Sequence, residues 1–187
     1  MGFASKIFLR KLEIWGEEMK KNNLKLVCVT GVFTAIVFVF TAYIHIPSYT
    51  GYVHVGDGII YLAASVLPLP YAVFIGAGGA ALADCLSGFA LWAPGSAIIK
   101  AATVFFFCRK SEKILNRKNL IALIPAAVIC VGGYYLYESI VTGSFAAPLA
   151  GIPGNIIQSV LSSVFYLILG RAFDRLKIKK MLGDREV

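Results

Sequence analysis

Apolar residues run along this chain in long blocks: about Leu24 to Ile46, Ile59 to Leu69, Tyr71 to Phe89, Trp92 to Cys108, Leu120 to Thr142 and Gly151 to Phe173. A helix needs about 20 residues to cross the hydrocarbon core of a bilayer, so four of these blocks span comfortably and the second is short. Between the second and third, LPLPY (Leu67 to Tyr71) carries two prolines. Proline ends one helix and starts the next, so these blocks read as a tight helical hairpin. The pattern predicts an all-α integral membrane protein of six transmembrane helices with a short second helix. The competing count is five, with the second block re-entrant or interfacial.

Charge decides between the counts. Lys and Arg near span ends stay on the cytoplasmic side. Lys6, Arg10, Lys11, Lys20, Lys21 and Lys25 lie before or at the start of the first block; Arg109, Lys110, Lys113, Arg117 and Lys118 lie between the fourth and fifth; Arg171 through Arg185 lie at or beyond the end of the last. The links 47–58, 88–93 and 143–150 hold none. Six helices with both termini cytoplasmic satisfy this pattern, whereas five put one basic block outside. Only Lys100 is left over. Residues 1–22 mix Phe, Ile, Leu and Trp with charges and read as an amphipathic surface segment or a dispensable leader. Residues 23–175 form the membrane domain and 176–187 a basic cytoplasmic tail.

Composition agrees: 58% of residues are hydrophobic and 15% charged, with a mean hydropathy of +0.77, which excludes an ordinary soluble domain. The net charge of +8 invites a nucleic-acid reading. Its confinement to short blocks between spans argues instead for cytoplasmic loops beside membrane lipid and no nucleic acid. Cys28, Cys85, Cys108 and Cys130 sit in or beside apolar runs with no CxxC pair, as reduced packing residues do. His45 and His54 lack ligand spacing, so no metal and no cofactor is expected. The sequence has no GxSxG, HExxH or Walker A motif, and hence no enzyme active site; any ATPase belongs to another subunit.

The candidate chemistry lies in the outer half of the predicted bundle. At about 1.5 Å of rise per residue, Asp84, Lys100, Glu138 and Asn155 fall about 7 to 10 Å from the outer boundary, and Asp57 opens the second helix from outside. Charges at that depth are expensive unless paired or hydrated. One account is a structural Asp84–Lys100 ion pair stapling two helices. The other is a solute pocket, because three acids, one base and the amides of Asn155 and Gln158 at one level exceed what a staple requires. Asn155, Gln158, Ser162 and Tyr166 form a helical stripe, Ser96 and Lys100 share a face, and so do Tyr134, Tyr137 and Glu138. The link His45 to Gly58, rich in aromatic residues and glycine, reads as a lid over the pocket. Gly31, Thr34 and Ala35 make a small-residue stripe suited to packing or to docking a partner helix.

The segment Val55 to Ala101 carries Gly56 and Asp57, then Asp84 to Gly88, Pro94 and Lys100. It resembles the substrate-binding S components of energy-coupling factor (ECF) vitamin transporters, most of all the pyridoxine and hydroxymethylpyrimidine branch. The resemblance implies a subunit of the bacterial plasma membrane that captures a vitamin or vitamin precursor outside: a B6 form, hydroxymethylpyrimidine or a queuosine-type deazapurine. It implies partners too, an energy-coupling transmembrane subunit and two ATPases, docked through Gly31 and Ala35 where the family carries an AxxxA stripe. Asp84, Lys100, Glu138, Asn155 and Gln158 are then expected to contact or orient the solute, with Tyr137 and Ser96 beside them and Asp57 and His54 nearer the mouth. The alternatives are a proton-coupled secondary transporter relaying protons through Asp84, Lys100 and Glu138, and a non-transporting structural membrane subunit.

Overall fold

The computed structural model describes residues 24–48 and 51–183; the proposed surface segment 1–22 and the last residues of the basic tail lie outside them. The chain runs as α1 (Leu24–Ala42), a β-hairpin of β1 (His45–Ser48) and β2 (Gly51–His54), α2 (Gly56–Val66), α3 (Leu69–Leu86), α4 (Ala93–Val104), α5 (Arg117–Thr142), a 3-10 turn (Ala147–Gly151), α6 (Ile152–Arg175) and a short α7 (Ile178–Gly183).

Proline and glycine punctuate these helices where the backbone demands it. Leu67 is extended because a proline follows, and Pro70 sits in the first turn of α3, where its missing N–H leaves no donor unpaired. Pro94 and Pro153 open α4 and α6 in the same way. Asn116 caps α5 by accepting from Asn119 N at 3.1 Å, and Gly143 closes that helix at φ 64°.

Helices α1, α3 and α5, together with the 3-10 turn and α6, are long and apolar enough to cross a membrane. Their outward faces carry Val32, Phe74, Leu82, Ile124, Val128, Val160 and Ile168, all exposed, as lipid-facing positions are. The short second helix is present and every one of its residues is buried. Its 11 residues reach only about 16 Å, so α2 serves as a central stave among longer helices. It packs chiefly on α6 and α3, while α3 lies along α4 and α4 along α5. Close approach depends on small residues. A Cβ at Gly58 would stand 2.6 Å from the Ser162 carbonyl of α6, and one at Gly79 would stand 2.7 Å from Val37 of α1.

Two features depart from the sequence reading. The link His45 to Gly58 carries a paired antiparallel hairpin, with His45 opposite His54 and Pro47 opposite Tyr52, so the fold is not purely helical. The fourth apolar block stops being helix at Val104, and its remainder folds back, with Phe107 stacked on Tyr61 at 4.8 Å. Asp174 holds this returning segment by accepting from Ile114 N at 2.7 Å and Leu115 N at 3.0 Å. Buried Asn119 donates to Ser65, Cys108 and Ile114.

Candidate functional site

The hairpin covers the ends of α3 to α6 that carry the polar groups. Gly88, at φ +85°, adopts a left-handed conformation that suits glycine, and it turns the chain out of α3. The turn brings the Phe89 ring to 5.0 Å from Tyr52 and 6.2 Å from Trp92. Beneath lies a cavity of about 60 Å3 lined by Tyr52, Val53 and His54 of the hairpin, Asp84 of α3, Phe89, Trp92, Ser96 of α4, Tyr134 and Glu138 of α5, Gly151, and Gly154, Asn155 and Gln158 of α6. Of the residues singled out in the sequence, His54, Asp84, Ser96, Tyr134, Glu138, Asn155 and Gln158 converge here.

Lys100 and Asp57 do not line this space. They form a sealed layer under it, with Lys100 Nζ 2.8 Å from Asp57 Oδ2 and both side chains 1% exposed. This replaces the Asp84–Lys100 staple considered from the sequence. Because α3 ends at Leu86 rather than Phe89, Asp84 stands less than a turn from the helix end, while Lys100 lies about two turns into α4. At Gly76, about 12 Å deeper along α3 than Asp84, a Cβ would sit 3.3 Å from the Lys100 carbonyl, so that glycine sets the depth of the lysine. Asp57 likewise belongs to the sealed layer and not to the mouth. Gln158 Nε2 donates to the same Asp57 oxygen at 3.1 Å, and Lys100 Nζ lies 4.9 Å from the Tyr134 ring centroid. The layer thus holds Gln158 and Tyr134, two walls of the cavity, from behind. Because a carboxylate only accepts, Gln158 must present its nitrogen to Asp57, which leaves Oε1 as its free acceptor.

Asp84 is tied to the hairpin: the Tyr52 hydroxyl donates to Asp84 Oδ1 at 2.6 Å, in the range of a charge-assisted O–H···O⁻ bond. Burial first, and this bond second, push the Tyr52 phenol well above its ordinary range, so it remains a donor. His54 accepts from Gly56 N through Nδ1 at 3.1 Å, which places its proton on Nε2. Burial pushes this histidine down to about 4, so it is neutral at physiological pH. Among the described residues, Asp84 Oδ2 and Trp92 Nε1 are buried with no hydrogen-bond partner, and so is Asp57 Oδ1 in the layer below.

Tyr137 is placed elsewhere. Its hydroxyl donates to the Leu91 carbonyl at 2.7 Å and its ring fills the space a Cβ at Gly95 would need, outside the cavity. The small stripe of α1 divides: Gly31 and Ala35 face outward, while Thr34 is buried with its hydroxyl bonded to Thr30 O at 2.8 Å. The sequence reading passed over Tyr52, Phe89 and Trp92. Tyr52 and His54 alternate along a strand and so face one side, a signal visible only once the link is read as β. Among the described residues no group of three or more His, Cys, Asp or Glu gathers as a metal site would require.

Residues 21–175 match the family described as ECF-type riboflavin transporter, S component. No curated protein matches the chain.

Proposed function

Since the chain belongs to the family of ECF-type riboflavin transporter S components, the substrate-binding subunits of ECF transporters, we propose that it captures a small polar heteroaromatic nutrient from outside the cell. ATP hydrolysis falls to partner subunits: an energy-coupling membrane protein and two ATPases, docked on the outward Gly31 and Ala35 face of α1. Six spans with both termini cytoplasmic in the plasma membrane accord with the basic blocks and place the hairpin outside.

The observation that carries this reading is the cavity between the hairpin and the ends of α3 to α6, with its several converging polar groups. At about 60 Å3 it has room for a handful of waters, so a solute enters when the hairpin lifts. A single-ring solute, a B6 form or hydroxymethylpyrimidine, requires less opening than riboflavin, which the family description names, or a deazapurine. Aromatic walls at Tyr52, Phe89, Trp92 and Tyr134 suit a flat ring.

A proton relay through Asp84, Lys100 and Glu138 finds little support, because Lys100 is bonded to Asp57 and Asp84 to Tyr52, with no hydrogen bond linking the three. The test is uptake of radiolabelled pyridoxine, hydroxymethylpyrimidine and riboflavin into proteoliposomes. The protein alone is expected to bind without accumulating solute, and accumulation is expected only with the ATPase partners and ATP. Uptake by the protein alone that collapses with the proton gradient would establish the secondary-transport reading.

A further inference from the structure

The charge of the cavity is lopsided. Lys100 and Asp57 neutralise each other in the sealed layer, and that contact is the one ion pair among the described residues. Two carboxylates remain on the cavity wall, Asp84 and Glu138, both 6% exposed. Among the described lining residues none is Lys or Arg, and His54 is neutral with Nδ1 occupied. Asp84 spends one oxygen on Tyr52 and its Oδ2 is buried and unpartnered. Buried carboxylates without a counter-charge are costly, and a ligand that brings positive charge or several N–H donors removes that cost. Trp92 Nε1, a buried donor beside Glu138, likewise has no partner within hydrogen-bond distance.

We propose that the solute is an amino-substituted or protonated nitrogen heteroaromatic, with its cationic or N–H-rich edge on Asp84 and Glu138 and one acceptor, a ring nitrogen or hydroxyl, on Trp92. This rests on the binding reading above and narrows its substrate class by charge. It sets aside anionic vitamins, and it removes Lys100, paired with Asp57 in the sealed layer, from the residues expected to contact the solute. Gln158 Oε1 adds a third acceptor to the same wall.

Pyridoxamine and pyridoxine test this directly, because they differ by an aminomethyl cation in place of a hydroxymethyl group. Isothermal titration of the detergent-purified full chain at neutral pH is performed with both, with 4-amino-5-hydroxymethyl-2-methylpyrimidine, with neutral riboflavin and with anionic nicotinate. The expected result is that pyridoxamine binds about tenfold or more tighter than pyridoxine. The aminopyrimidine binds, and nicotinate does not. In Asp84→Asn, which retains an acceptor for Tyr52, and separately in Glu138→Gln, the pyridoxamine preference falls to about threefold or less. Binding of pyridoxine, riboflavin or nicotinate as tight as that of the amines overturns the charge assignment and leaves the binding reading standing. An unchanged preference in both variants overturns the assignment of the cation to Asp84 and Glu138. No binding of any probe by folded protein overturns the binding reading, and the charge assignment falls with it.

Discussion

Lys100→Ala leaves the Asp57 carboxylate buried without its counter-charge, an arrangement that costs about 3 to 5 kcal/mol. The variant is expected to melt well below wild type in detergent, whereas Asp84→Asn, which retains its bond to Tyr52, is expected to melt near it. Equal melting temperatures for wild type and Lys100→Ala would contradict the sealed pair. His54 supplies a pH dependence. Its ionisation is lowered in the folded protein to about 4 from 6.5, so below pH 6.5 the unfolded chain takes up a proton that the folded chain refuses. The contribution is fully present above pH 6.5 and is lost as pH falls toward 4, up to about 3 kcal/mol. Melting curves between pH 7.5 and 4.5 check this against His54→Asn, whose amide oxygen can still accept from Gly56 N. The variant is expected to lose the part of the acid sensitivity that other carboxyl groups do not supply. Individual polar residues were legible in the sequence because a charge in an apolar block stands out. Their pairing was not: Asp57 and Asp84 were both within plausible reach of Lys100, and the depth at which α4 crosses α3 at Gly76 decides between them.

Approximate helix positions followed from apolar block lengths and prolines, and so did the shortness of α2; its central place against α6 and α3 was not legible, because a short apolar block reads equally as a re-entrant or interfacial segment. The hairpin was not legible, because a segment containing Pro47 and Gly51 between two spans reads as loop. Its strand character rests on pairing between His45–Ser48 and Gly51–His54. At this scale glycine contacts give the sharpest prediction. Gly58→Ala places a methyl group 2.6 Å from the Ser162 carbonyl, so α2 and α6 must separate, at about 1 to 3 kcal/mol. A Cβ at Gly31 meets nothing within 4 Å, so Gly31→Ala is expected to melt like wild type. Thermal unfolding of the two purified variants checks both expectations, and similar losses in each would contradict the packing described. Gly31→Trp is expected to retain solute binding by the isolated protein and to lose co-purification with the energy-coupling subunit.

For the molecule as a whole, the division of labour follows from where polar groups remain after folding. One end is closed by apolar stacking, Asn119 and Asp174, and the other retains a cavity with unpartnered polar atoms beneath a hairpin; the orientation proposed above puts the closed end in the cytoplasm and the cavity outside. On the proposed function, that asymmetry suits capture from outside, with inward delivery assigned to the proposed ATPase-bearing partners. The central claim is that the outer cavity holds a nutrient. Native mass spectrometry of the detergent-purified protein, with release and identification of any small molecule retained, tests it most directly on wild type, Asp84→Asn and Gln158→Ala. The account predicts one nitrogen heteroaromatic bound stoichiometrically to wild type and depleted in both folded variants. Wild-type protein that carries no such molecule, and gains none when incubated with a vitamin panel, would contradict it.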